Sequence, residues 1–166
     1  RGTRRQRVPA AAAVEAEELA AKGTVVSKTV DSYGRAYMET YNTGVVRIYL
    51  EYATWQVNGK DVPTIIPKRI ALAKKGDEGD PKRYAVIYEY DDVYLNLLID
   101  KDKDDVDSNQ SKTGRLKIET YPQTNEEVIY HYRSDKFPAP DPDTLVLERI
   151  EYKKDGDVWL MLTFHP

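Results

Sequence analysis

The chain has 166 residues, a net charge of -3, no cysteine, and 13 tyrosines against 2 phenylalanines. That length supports one domain with a substantial core rather than two. The missing cysteine excludes disulfides, thiol catalysis and thiolate metal sites; no apolar run reaches the roughly 20 residues of a membrane-spanning helix; and an acidic body lacks the basic stripe of a general nucleic-acid groove.

Residues 1–8 read as a flexible basic arm, with Arg1, Arg4, Arg5 and Arg7 ahead of any acidic residue. Without those four the net charge falls from -3 to -7, so the arm does not share the character of the body. Basic, alanine-rich and acid-poor, it looks like the trimmed end of an organellar transit peptide, which points to a plastid or mitochondrial interior. It also resembles the RNA-facing arm of a small capsid protein, and any nucleic-acid contact is expected through this arm alone.

Residues 9–22 predict a helix. Pro9 suits the first helical position, where its missing N–H is not needed, and AAAAVEAEELAAK is built of strong helix formers. Ala12, Ala16, Leu19 and Ala20 share a face so small that only light docking is expected, and Gly23 supplies the stop.

Residues 23–166 predict a single β domain. TVVSKTV, RAYMETY and VVRIYLEYATWQV are rich in β-branched and aromatic residues. Asn58-Gly59 signals a two-residue hairpin, because both turn positions need positive φ. Pro63 and Pro67 cannot donate ladder hydrogen bonds, so the return strand should be short or at an edge. RYAVIYEY and VYLNLLID are expected to face each other across Asp91-Asp92. RLKIETY, EVIYHYR, TLVLERIEY and VWLMLTF complete nine to eleven strands. Short hairpin connections imply a meander, and a long meander hides its edges by closing. The expected fold is an all-β antiparallel meander closed into a lipocalin-like barrel with one N-terminal helix. A two-sheet sandwich or a jelly roll is the runner-up. The likeness to lipocalins concerns architecture only and transfers no residue.

Catalytic chemistry finds little support. His131 falls on a strand as a half-exposed surface residue, and His165 is penultimate. Asp100, Asp102, Asp104, Asp105 and Asp107 start like a calcium loop, but Asp105 stands where the loop needs Gly and Ser111 where it needs Glu. GDEGDP has no phosphate-loop ending. No catalytic residue, metal ligand or cofactor is assigned. The informative signal is strands that are apolar on both faces, because an uncovered apolar face needs another molecule. The expected function is that of a non-catalytic binding or assembly subunit. It would dock on a protein partner or a second copy through a Tyr/Trp-rich sheet face carrying Trp55, Tyr49, Tyr152, Trp159 and Met161. One alternative is a carrier of a small apolar ligand lined by Leu95, Leu97, Leu116, Ile118, Leu160 and Leu162. The other is a capsid-like shell protein.

Overall fold

A computed structural model describes residues 10–91, 114–133 and 146–165. One helix, α1 (Ala10–Lys22), precedes nine strands: β1 (Val25–Val30), β2 (Ala36–Tyr41), β3 (Val45–Val57), β4 (Lys60–Lys74), β5 (Val86–Asp91), β6 (Arg115–Tyr121), β7 (Glu126–Tyr132), β8 (Leu147–Lys154) and β9 (Asp157–Thr163). They form one antiparallel meander in strict chain order. Two expectations are corrected. There is one sheet rather than two, with none of the crossovers of a jelly roll, and the sheet does not close into a barrel. The reason is parity: with nine alternating strands, β1 and β9 run the same way, so closure would need a parallel pair, with its slanted and slightly weaker ladder.

Turn chemistry sets the meander. Asn58 and Gly59 sit at φ +51° and +78°, and Asp155 and Gly156 at +52° and +87°. These pairs join β3 to β4 and β8 to β9 with the twist that strands prefer. The return strand β4 is long, 15 residues, and not short as expected. Its prolines nevertheless lie where only one neighbour is needed: Pro63 and Pro67 pair with β3, whereas β5 joins β4 only over Arg69–Leu72. The β3–β4 ladder slips register around them, and the buried Thr64 hydroxyl bridges the gap, donating to the Ala53 carbonyl at 2.7 Å and accepting from the Ile66 N–H at 3.1 Å. Strand β5 pairs with β6 rather than with VYLNLLID, which lies outside the described residues.

Directly opposed residues share a face. One row crosses seven strands: Tyr49, Ile70, Tyr88, Glu119, Val128, Tyr152 and Leu160. This is the face against which α1 lies. Ala13, Ala16 and Ala20 are buried in one cluster with Tyr41, Val45, Leu72, Val86, Tyr121, Val128 and Tyr152. In keeping with light docking, the helix meets the sheet mainly at β3 and β4. Alanine covers little area itself, but it leaves room for long tyrosine side chains rising from the sheet, and large-against-small is how facing layers fill space. The row on the far face begins apolar, with Met38, Ile48, Ala71 and Ile87, and turns polar at Thr120, Glu127 and Lys153. Its apolar half belongs to a second cluster with the buried Tyr84, which follows a 3-10 turn at Pro81–Arg83. An interior ion pair joins β5 to β6: Arg115, 3% exposed, donates to Asp91 at 2.5 Å beneath the Tyr132 ring.

The helix is clamped at its C-terminal end. Thr43 donates its hydroxyl to the Leu19 carbonyl at 2.6 Å, and the Thr24 N–H donates to the Asn42 side chain at 2.9 Å. Gly23 sits inside this clamp. A Cβ there would lie 2.7 Å from Thr43 Oγ1 and 2.9 Å from the Leu19 carbonyl. Gly23→Ala must therefore push the clamp apart, and urea denaturation should show a loss of about 1–3 kcal/mol, typical of overpacking.

Candidate functional site

The helix face of the sheet is polar where a core would ordinarily be aliphatic. Glu119 stands in the middle of the row across β3–β9, opposite Tyr88 and Val128. The Tyr121 hydroxyl donates to Glu119 Oε1 at 2.8 Å, and Tyr130 also hydrogen-bonds to Glu119. The carboxylate is thus held by two phenols in partly desolvated surroundings. Burial, then the charge of Glu119, push the Tyr121 and Tyr130 hydroxyls far above the ordinary phenol range. Burial followed by the Glu39 hydrogen bond raises Tyr49 to about 12, and burial raises Tyr52 to about 12.

Across from Glu119, α1 contributes Glu17. Glu17 is exposed to solvent, yet partial desolvation, then the Glu119 charge, raise its pKa above the usual carboxylate value. A cleft of about 360 Å³ opens between α1 and the sheet, lined by Glu17, Ala20 and Ala21 from the helix and by Arg47, Ile70, Leu72, Tyr88 and Tyr90 from β3, β4 and β5. Arg47 lines the cleft, lies near enough to Tyr90 to act on it, sits 5.6 Å from the Tyr41 ring and hydrogen-bonds Tyr49. The Tyr88 hydroxyl is buried and has no hydrogen-bond partner.

The second surface is β9. Val158, Trp159, Met161, Leu162 and Phe164 are each 41–47% exposed. No charge interrupts the stretch from Val158 to Phe164. Among the described residues β9 pairs only with β8. The Phe164 N–H donates to the Glu148 carbonyl. Because residues alternate along an antiparallel ladder, Leu162 and Leu160 also face β8, and Met161 and Thr163 direct their main-chain groups to the open edge. The other edge, β1, is blunted by Lys28 and by two register breaks.

The residues singled out in the sequence scatter over these surfaces. Trp159 and Met161 are exposed on β9, with Trp159 tilted against Tyr152 at 5.9 Å between ring centroids. Tyr152 itself is buried at 8%. Tyr49 is half-buried, donates to Glu39 and stacks on Tyr52 at 5.8 Å. The Trp55 side chain lies outside what the structure describes, as do Leu95, Leu97, Arg1, Arg4, Arg5 and Arg7. Leu160 and Leu162 lie on the helix face, opposite Tyr152 and Ile150, whereas Ile118 lies on the far face, opposite Ile129. Half-buried Leu116 accepts the Tyr132 hydroxyl at its carbonyl, at 2.5 Å. The described members of the expected aliphatic lining therefore fall on both faces of the sheet. His131 is a partly buried strand residue bonded to Glu151, and His165 is exposed. Among the described residues no three metal-binding side chains gather, and no helix is long and apolar enough to cross a membrane. Sequence reading missed Glu17, Tyr88 and Glu119; Glu119 shares its strand face with Arg115, Lys117 and Tyr121 and reads there as an ordinary polar residue.

No protein-family model matches the chain, and no curated protein or solved structure resembles it at a significant level.

Two pH dependences follow. An acid whose folded pKa is raised is stabilising only while protonated, so Glu17 opposes folding as pH rises above 4.5. Glu17→Gln should raise the melting temperature at neutral pH and leave it unchanged well below pH 4.5. The buried phenols act in the same sense at high pH: unfolded tyrosine ionises near pH 10 and the folded groups do not, so stability falls above pH 10. In an alkaline titration, phenolate absorbance from these residues should appear together with the loss of β-sheet circular dichroism rather than before it.

Proposed function

We propose that the protein is a non-catalytic β-domain assembly subunit that docks through β9, and that a second copy of the chain occupies that edge. One observation carries the reading: β9 is apolar on both faces, uncharged from Val158 to Phe164, and, among the described residues, open along one edge. Monomeric sheet proteins blunt such an edge with lysine, proline or a bulge. Here β1 has its lysine and two register breaks, whereas β9 has a single break, at Trp159, and pairs with β8 without interruption over Leu160–Thr163.

The strand is also complementary to itself. In an antiparallel two-fold register centred on Met161, Met161 faces its own symmetry mate through outward main-chain groups. Leu160 meets Leu162, Trp159 meets Thr163 and Val158 meets Phe164. The polar ends match as well, Asp157 meeting His165. Such an isologous contact closes as a dimer instead of propagating. Main-chain hydrogen bonds supply the affinity, and the apolar faces exclude water around them.

Light scattering after size exclusion tests this. The wild-type chain should run at twice its monomer mass at micromolar concentration. Thr163→Pro removes an outward donor while sparing the β8 ladder, and Met161→Lys places a charge on the symmetry axis. Both should give monomers with unchanged circular dichroism. A wild-type monomer at every concentration, or a dimer that survives both substitutions, overturns the reading.

A further inference from the structure

The chain carries two methionines and no cysteine, so thioether sulfur is its principal target for peroxide. The two methionines sit differently. Met38 is partly buried against the far-face cluster of Val46, Ile48, Ala71, Ala73 and Tyr84. Met161 is 47% exposed on β9. In the two-fold register proposed above it stands on the axis, beside its own symmetry mate. Across the β8 ladder it opposes Glu151, whose carboxylate is bonded to His131. The free edge therefore presents an accessible sulfur at the position where two chains meet as equals. Directly opposed residues of an antiparallel pair share a face, with their Cβ atoms about 5 Å apart. A change at Met161 is thus felt twice in every dimer.

We propose, resting on that β9 dimer, that pairing is redox-sensitive through Met161: hydrogen peroxide converts the free edge to the sulfoxide, and the oxidised edge pairs poorly. The sulfur attacks one peroxide oxygen, and the S–O bond forms as the O–O bond breaks. The second oxygen leaves as hydroxide and takes the proton from the first to become water. The sulfur gives up two electrons and the peroxide takes them; a thiol-dependent methionine sulfoxide reductase reverses the change. A thioether is apolar and accepts hydrogen bonds weakly. A sulfoxide is polar, and its oxygen is a strong acceptor. On the axis two such oxygens would lie side by side, flanked by the Glu151 carboxylate of each chain. These groups accept and do not donate, so the sulfoxides would lose water without gaining a partner. Pairing in turn covers the sulfur, and dimer formation and oxidant compete for the same edge.

The experiment treats the full chain with hydrogen peroxide, maps the added oxygen by peptide mass spectrometry, and follows mass by light scattering across a dilution series. Met161 should gain oxygen before Met38, and the dimer dissociation constant should then rise about tenfold or more, equivalent to about 1.4 kcal/mol. A sulfoxide reductase supplied with thiol should restore the dimer. Met38→Leu, which leaves Met161 as the remaining thioether, should respond to peroxide as the wild type does. Met161→Leu, apolar and inert to peroxide, should show one mass before and after treatment. Sulfoxide should also form more slowly at Met161 as the chain is concentrated, a trend Met38 should not follow. A dimer that persists with Met161 fully oxidised, dissociation by peroxide in Met161→Leu, or Met38 oxidised ahead of Met161 overturns the redox proposal and leaves the pairing of β9 standing. A chain already monomeric before peroxide overturns the pairing itself, and the redox proposal with it.

Discussion

An antiparallel meander with an odd number of strands ends as it began, with its first and last strands pointing the same way. Everything distinctive about this molecule follows from that constraint. Closure in the antiparallel sense is denied, so the sheet stays open and two edges remain. An open sheet must bury its apolar face against something else, and here that is a 13-residue helix. The first edge is short, fully exposed and marked by Lys28; the second is uncharged and apolar. Among the described residues the two edges therefore differ sharply in character.

The helix succeeds because of what it lacks. An alanine stripe would be a poor core partner for a flat aliphatic sheet, since each residue buries little area. Against Tyr41, Tyr121 and Tyr152 the geometry reverses: long rings span the gap and the small helix face lets them lie down. Tyrosine brings a hydroxyl that must find a partner when buried. Tyr121 and Tyr130 find Glu119, Tyr52 finds the Ala36 carbonyl, and Tyr132 finds the Leu116 carbonyl. A helix-side layer of this kind is a hydrogen-bonded network as much as an apolar core.

Much of the architecture was legible in the chain. Asn58-Gly59 announces its hairpin because few residue pairs tolerate two successive positive φ angles, and period-two alternation marks RLKIETY and VWLMLTF as strands. Closure was not legible, because it depends on the parity of the strand count, and a reading of nine to eleven cannot fix parity. The length of β4 was misjudged because Pro63 and Pro67 forbid a second neighbour only locally; beyond them the strand recovers two partners. Tyr152 reads as surface in the sequence because tyrosine suits both interior and boundary, and only the packing of α1 decides which. Exposure on β9 could be anticipated from residues that are apolar on both faces, whereas the same pattern in β3 is answered by α1 on one side and Tyr84 on the other. The cleft was invisible: Glu17 and Glu119 are 102 residues apart in the chain and meet only when the helix lies on the sheet.

Stability alone does not account for Glu119. A leucine in the same row would pack against Val128 with no desolvation cost and would free two phenols for simpler arrangements. The acid instead raises the pKa of every neighbour within reach, Glu17 on the helix as well as Tyr121 and Tyr130 on the sheet. A buried polar network of this sort fixes one arrangement of the layer, since each hydroxyl has a single satisfied geometry. Packing explains the alanines and the tyrosine rings; Glu119 satisfies the hydroxyls of Tyr121 and Tyr130, which burial would otherwise leave without partners.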